Sequence, residues 1–124
     1  MKNNSVILFM LCCIIIVGFC GCSTKKPRDE NTIYVDINGG ADYKSIQAAV
    51  ENASANKTIF IAKGVYYENI NINKTINLVG ENSKNTIIDG NESGSAIKLM
   101  DAGHCNITGF TIQNSGLSQS GIKI

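Results

Sequence analysis

The 124-residue sequence has no tryptophan, one proline, one histidine and, after residue 22, one cysteine. The cysteines decide most. Cys12, Cys13, Cys20 and Cys22 lie in or beside an N-terminal apolar run, and only Cys105 lies in the body of the chain. No disulfide framework and no cysteine metal site is therefore expected in that body, and Cys105 reads as a small buried apolar residue. The single histidine, His104, sits in the turn-like stretch DAGHCN. Asp101 and Cys105 are its near neighbours in sequence, too few and too mixed for a side-chain metal site. No cofactor is expected. An excess of charge is also missing. Eleven Lys and Arg stand against ten Asp and Glu. Without a basic block, and with no interleaving of aromatic and basic residues, no nucleic-acid partner is expected.

Long hydrophobic runs are absent but for one. Residues 6–19, VILFMLCCIIIVGF, follow Lys2 and form an uninterrupted apolar segment, long enough for the core of a signal sequence and short for a membrane span. GFCGCS follows. A small residue before a cysteine at this point resembles the lipobox of bacterial and archaeal lipoproteins, and Cys22, preceded by Gly21, fits the lipid-attachment position. The resemblance implies a signal segment over 1–21 and a membrane-lipid partner through Cys22. An uncleaved N-terminal anchor and an ordinary cleaved signal are the alternatives, and all three place the rest of the chain outside the cytoplasmic membrane. Residues 23–31, STKKPRDEN, carry the only proline and read as a polar tether, so 22–31 link the leader to a folded domain over 32–124.

Within 32–124 the apolar period is mostly two. TIYVD (32–36), TIFIA (58–62), ENINI (68–72), TINLVG (75–80), NTIID (85–89), AIKLM (96–100), NITGFTIQ (106–113) and GIKI (121–124) read as short strands, with Gly and Asn at the joints. One segment breaks the rule. In GGADYKSIQAAVENA (39–53), Ile46, Ala49, Val50 and Ala53 fall at i, i+3, i+4 and i+7, the stripe of an amphipathic helix. Ser45 or Asp42 is suited to cap its start. At about three turns such a helix is marginal alone and must pack on something.

The strands repeat. SAIKL (95–99) returns as SGIKI (120–124), and Ile88 and Ile112 are each followed within three residues by an asparagine. A period in the twenties marks a solenoid. Leucines are too few for leucine-rich repeats. Three short strands per period, joined by Gly and Asn, instead predict a single-stranded parallel β-helix, with Ile ladders inside and asparagines at left-handed turn positions hydrogen-bonding from coil to coil. Residues 58–124 hold about three coils, and the helix over about 45–53 is expected to cap the first.

Several stretches carry a family resemblance. VDINGGADYKSIQAAVENA, IFIAKGVYYENI, KTINLVGEN and NTIIDGN, in this order, resemble the N-terminal portion of pectin-methylesterase-like right-handed β-helix proteins of the pectin lyase-like superfamily. NITGFTIQNSG and GIKI resemble the repeats of NosD-like carbohydrate-associated proteins. The first resemblance implies a right-handed, all-β solenoid and a polysaccharide partner. It also implies that the catalytic aspartates, arginine and oxyanion-holding glutamines lie beyond these opening coils. GIKI closes the sequence within a strand pattern, so the domain reads as the start of a longer solenoid.

The remaining candidates are modest. Ester hydrolysis needs two carboxylates across one substrate position, whereas Asp89 and Asp101, about half a coil apart, are expected on different faces as solvated turn residues. Asp36 and Asp42 flank the Gly-Gly turn, where capping competes with calcium. Lys98 and Lys123 each lie between inward apolar residues and should stack on the outside of neighbouring coils, a basic pair suited to an acidic polysaccharide. N-glycosylation sequons occur at Asn52, Asn56, Asn73, Asn91 and Asn106. The reading is an exported, lipid-anchored surface module that binds or displays carbohydrate or serves as an adhesion or envelope scaffold, with no catalytic residue in this chain. The alternatives are the N-terminal part of a pectin methylesterase-like or polysaccharide lyase-like enzyme, or a NosD-like accessory protein for copper-enzyme maturation.

Overall fold

In a computed structural model, residues 28–117 and 120–124 are described. The expected signal segment over 1–21, Cys22 and most of the expected tether lie outside them. Ten strands and one helix follow in the order β1 (Thr32–Val35), α1 (Ile46–Asn52), β2 (Thr58–Ile61), β3 (Gly64–Tyr67), β4 (Ile70–Ile72), β5 (Asn77–Gly80), β6 (Thr86–Asp89), β7 (Ile97–Leu99), β8 (Asn106–Thr108), β9 (Thr111–Gln113) and β10 (Ile122–Lys123).

All pairings between these strands are parallel, and they form three sheets: β1-β2-β5-β8, β3-β6-β9 and β4-β7-β10. Every third strand returns to the same sheet, which is the path of a parallel β-solenoid. β2 to β4, β5 to β7 and β8 to β10 are three coils. These are the three coils expected over 58–124, and β1 and α1 form a leading turn ahead of them, so the whole stack is about four turns. The repeat noted in the sequence is the stacking register. Ile97 pairs with Ile122, Lys98 with Lys123 and Ile88 with Ile112.

Period two sends alternate side chains inward. Ile59, Ile61, Tyr66, Ile70, Ile72, Leu78, Ile88 and Ile97 are all buried in one apolar core. Two predicted strands differ in detail. The stretch 106–113 is two strands on two sheets, split at Gly109, whose φ of 79° is open to glycine at little cost. There the chain passes Gly80 so closely that a Cβ on either glycine would meet the other's carbonyl oxygen, at 2.1 and 2.3 Å. β3 was not expected, because it offers a single inward side chain, Tyr66, instead of a pair at spacing two. The Tyr66 hydroxyl donates to the Ala62 carbonyl (2.8 Å) and accepts from the Ile37 N–H (3.3 Å). Burial pushes its phenol pKa up.

The helix packs where the sequence stripe placed it. Ile46, Ala49, Val50 and Ala53 are buried, and α1 lies against β4, β1 and β2. Ser45 is the N-cap, its hydroxyl accepting from Ala48 N–H (3.3 Å). Glu68, just after β3, reaches the same helix start. Its carboxylate accepts from Ser45 Oγ (3.0 Å), Ile46 N–H (3.0 Å) and Gln47 N–H (2.9 Å). At the other end Lys74 Nζ donates to the Glu51 and Ala53 carbonyls. Gln47 Oε1 accepts from Asn71 N–H (2.8 Å), so the helix also satisfies the free edge of β4.

Candidate functional site

Lys98 and Lys123 lie on the outward face of the third sheet. Ile70 and Ile72 of β4 and Ile97 of β7 are buried and Leu99 partly so, whereas Ile122 and Ile124 beside Lys123 are exposed because no further coil stacks on β10 among the described residues. Asn71, Lys98 and Lys123 form one outward column through the registers Asn71–Lys98 and Lys98–Lys123. Both lysines are exposed. Parallel strands lie about 4.8 Å apart, so two ammonium groups are presented at close spacing along the solenoid axis. Chemically, such a pair is suited to carboxylates.

Asp89 sits on the second sheet and is not the solvated turn residue expected. It is only 4% exposed. Gln113 Nε2 (2.9 Å) and Asn114 Nδ2 (2.8 Å) donate to Oδ2, and Asn91 N–H (2.8 Å) donates to Oδ1. The Gln113 hydrogen bond first, then those of Asn91 and Asn114, hold its carboxyl below the usual range, against a desolvation that works the other way. The group ties the second coil to the third. It also modifies the asparagine expectation. Asn91 and Asn114 adopt left-handed turns (both φ 51°), but Asn114 bonds Asp89 rather than its copy one coil below. Asn69 also bonds from coil to coil, but its Nδ2 donates to the Gly90, Ser93 and Ser95 carbonyls of the next coil and not to an asparagine. The signal for Asp89 was present in the sequence: the offset that stacks Ile88 on Ile112 stacks Asp89 on Gln113.

Asp101 is exposed in the turn after β7, away from the second sheet, so the two aspartates do not face one substrate position. Asp36 Oδ1 accepts from Asn38 N–H, and Asp42 accepts from Tyr34 N–H and pairs with Arg28. Turn formation and protection of the β1 edge occupy both carboxylates. His104 is exposed, and the Cys105 thiol donates to the Lys74 and Ala102 carbonyls. Among the described residues no group of three or more His, Cys, Asp or Glu is placed to hold a metal ion. No helix among them is long and apolar enough to cross a membrane. Cys22 lies outside the described residues.

Comparison with known proteins gives one consistent result. A family model described as Pectinesterase matches residues 32–120. The probable pectinesterase 67 of Arabidopsis thaliana is 30% identical over 103 residues, 73% of this chain and 30% of that protein. The probable pectinesterase/pectinesterase inhibitor 59 of the same plant is 30% identical over 100 residues, 67% of this chain and 19% of that protein. The chain thus spans less than a third of either relative's length. Among solved structures, the pectin methylesterase from carrot aligns with a TM-score of 0.44 at 25% identity, over 64% of this chain and 31% of that one.

Proposed function

The chain belongs to the pectinesterase family, and we propose that it is the helix-capped opening part of an exported protein that hydrolyses methyl esters of pectin-type polysaccharide. The observation that carries this reading is the extent of the family match, which runs from β1 through β9 and includes α1. The two candidate carboxylates for ester chemistry do not supply it. Asp89 is committed to structure and Asp101 faces elsewhere. In this reading the nucleophile and the acid/base therefore belong to residues outside the described ones. The test is methanol release from methyl-esterified polygalacturonate by the full-length gene product. Steady release supports the reading, and no release from a folded, full-length protein overturns it.

A second reading, a non-catalytic module that binds or displays polysaccharide, is favoured by the outward Lys98–Lys123 pair. It expects retardation in affinity electrophoresis through de-esterified polygalacturonate, weakened several-fold in K98E/K123E and by added salt. Binding unchanged in the double variant removes the lysines from the contact. Attachment through Cys22 belongs to both readings. Mass spectrometry of membrane fractions should find a lipid-modified Cys22 at a new N-terminus, and an unmodified Cys22 still joined to residues 1–21 would sink the anchor. The accessory-protein alternative is supported only by the resemblance of residues 106–124.

A further inference from the structure

We propose that Asn56, Asn73 and Asn91, at corners of the solenoid, are N-glycosylation sites. The inference rests on the export reading above, because the modifying enzymes work on exported chains. Residues 32–124 contain twelve asparagines and fourteen serines and threonines. Random order would give about two sequons at that composition, against the five present. Asparagine turns followed by threonine-led strands would raise that chance number, so composition does not suffice.

The structure separates the asparagines by use. Asn69 and Asn114 spend their amides on bonds between coils, and Asn82 accepts from Lys84 N–H with its side-chain oxygen. None of the three begins a sequon. Asn52 begins one, but its Nδ2 donates to the Ala48 carbonyl of its own helix. Asn106 begins one inside β8, on a sheet face beside Asn77. Asn56, Asn73 and Asn91 remain. Each is exposed, each lies in a turn between elements, and none makes a side-chain hydrogen bond among the described residues. A sugar on these amides breaks no side-chain hydrogen bond of the fold.

The acceptor chemistry is ordinary. The side-chain Nδ2 attacks the anomeric carbon of a lipid-phosphate-linked oligosaccharide. The new C–N bond forms as the C–O bond to phosphate breaks. The lipid phosphate leaves with the electron pair, and one amide proton passes to a base of the oligosaccharyltransferase. The Ser or Thr two residues on, here Thr58, Thr75 and Ser93, is the recognition element.

The experiment is intact-glycopeptide mass spectrometry of the full chain, recovered from the cells that make it and scored for protease accessibility on intact cells. Saccharide mass on peptides at one or more of Asn56, Asn73 and Asn91 is expected, with none at Asn69, Asn82 or Asn114. The variants N56D, N73D and N91D, which keep the shape and turn tolerance of the side chain, should each remove only the increment at their own position. An exported protein bare at all three sites, or modified only at Asn52 or Asn106, overturns the proposal and leaves export standing. A protein inaccessible from outside overturns both together.

Discussion

Asp89 shows how a single carboxylate holds two coils in register. Its three donors come from Asn91 beside it and from Gln113 and Asn114 one coil on, so the ionised form is matched and the protonated form leaves donors competing for one acceptor. The folded-state pKa lies below its ordinary value. A depressed carboxylate adds stability above its unfolded pKa, about 3.9, and loses it as pH falls through the folded value. In D89N an amide would face the amides of Gln113 and Asn114, which lowers stability at neutral pH. The denaturation midpoint should therefore fall for D89N near pH 7, and the gap from wild type should begin to narrow below about pH 4, where the unfolded carboxylate takes up its proton, and go on narrowing as pH falls through the lower native value. A gap constant from pH 7 to pH 3 would show that Asp89 acts by packing alone.

At the scale of the element, α1 depends on a contact made from 21 to 23 residues away. Glu68 receives the Ser45 hydroxyl and two helix N–H groups, while Ser45 itself receives Ala48 N–H. A seven-residue helix has little stability of its own, so these bonds and its buried face must supply it. Glu68→Ala, which leaves two partly buried N–H donors unmet, should cost about 1–3 kcal/mol. Ser45→Ala should cost about 1 kcal/mol. Because Ser45 also bonds Glu68, the double variant should lose less than the separate losses combined, and strict additivity in urea denaturation would contradict the coupling. The same element marks what was legible in the sequence. Its apolar stripe and its cap at Ser45 are local signals, and both could be read. So could the Ile ladders, because a period of two and an offset of 24 or 25 are patterns along the chain. Glu68 could not be read as a helix cap, since nothing local links it to Ser45. β3 carries no such signal, because one inward tyrosine makes no alternation. The 106–113 stretch looked continuous because its break is a backbone turn at Gly109 rather than a change of polarity. At the candidate site, the outward pairing of Lys98 and Lys123 followed from the repeat, whereas the burial of Asp89 depended on neighbours supplied by the next coil.

For the whole molecule the open question of a solenoid is its ends. A stack of coils exposes strand edges and a column of apolar side chains wherever it stops, and such edges recruit other chains. At the N-terminal end every sheet is covered. Asp42 and Tyr43 bond back to Tyr34 along β1, the turn at Ile37 meets Tyr66 of β3, and α1 lies over β4 with Gln47 on its free N–H. Val50 is 1% exposed at the centre of that cover, in the same core as Ile59, Ile70 and Ile72. Val50→Asp removes roughly 1.5–3 kcal/mol of burial and puts an unpaired carboxylate in an apolar site, a further cost of several kcal/mol unless it takes up a proton. Against a net stability of about 5–15 kcal/mol for a domain of ordinary size, that is enough to release the helix. The exposed β4 edge and the isoleucines beneath it should then pair between molecules. The expected outcome is aggregation or loss of cooperative unfolding, read by size-exclusion chromatography and circular dichroism. Val50→Ala should stay monomeric with a lowered melting temperature, because it leaves a cavity but no charge. If V50D were monomeric and melted like wild type, α1 would not be the cap that closes this end of the core.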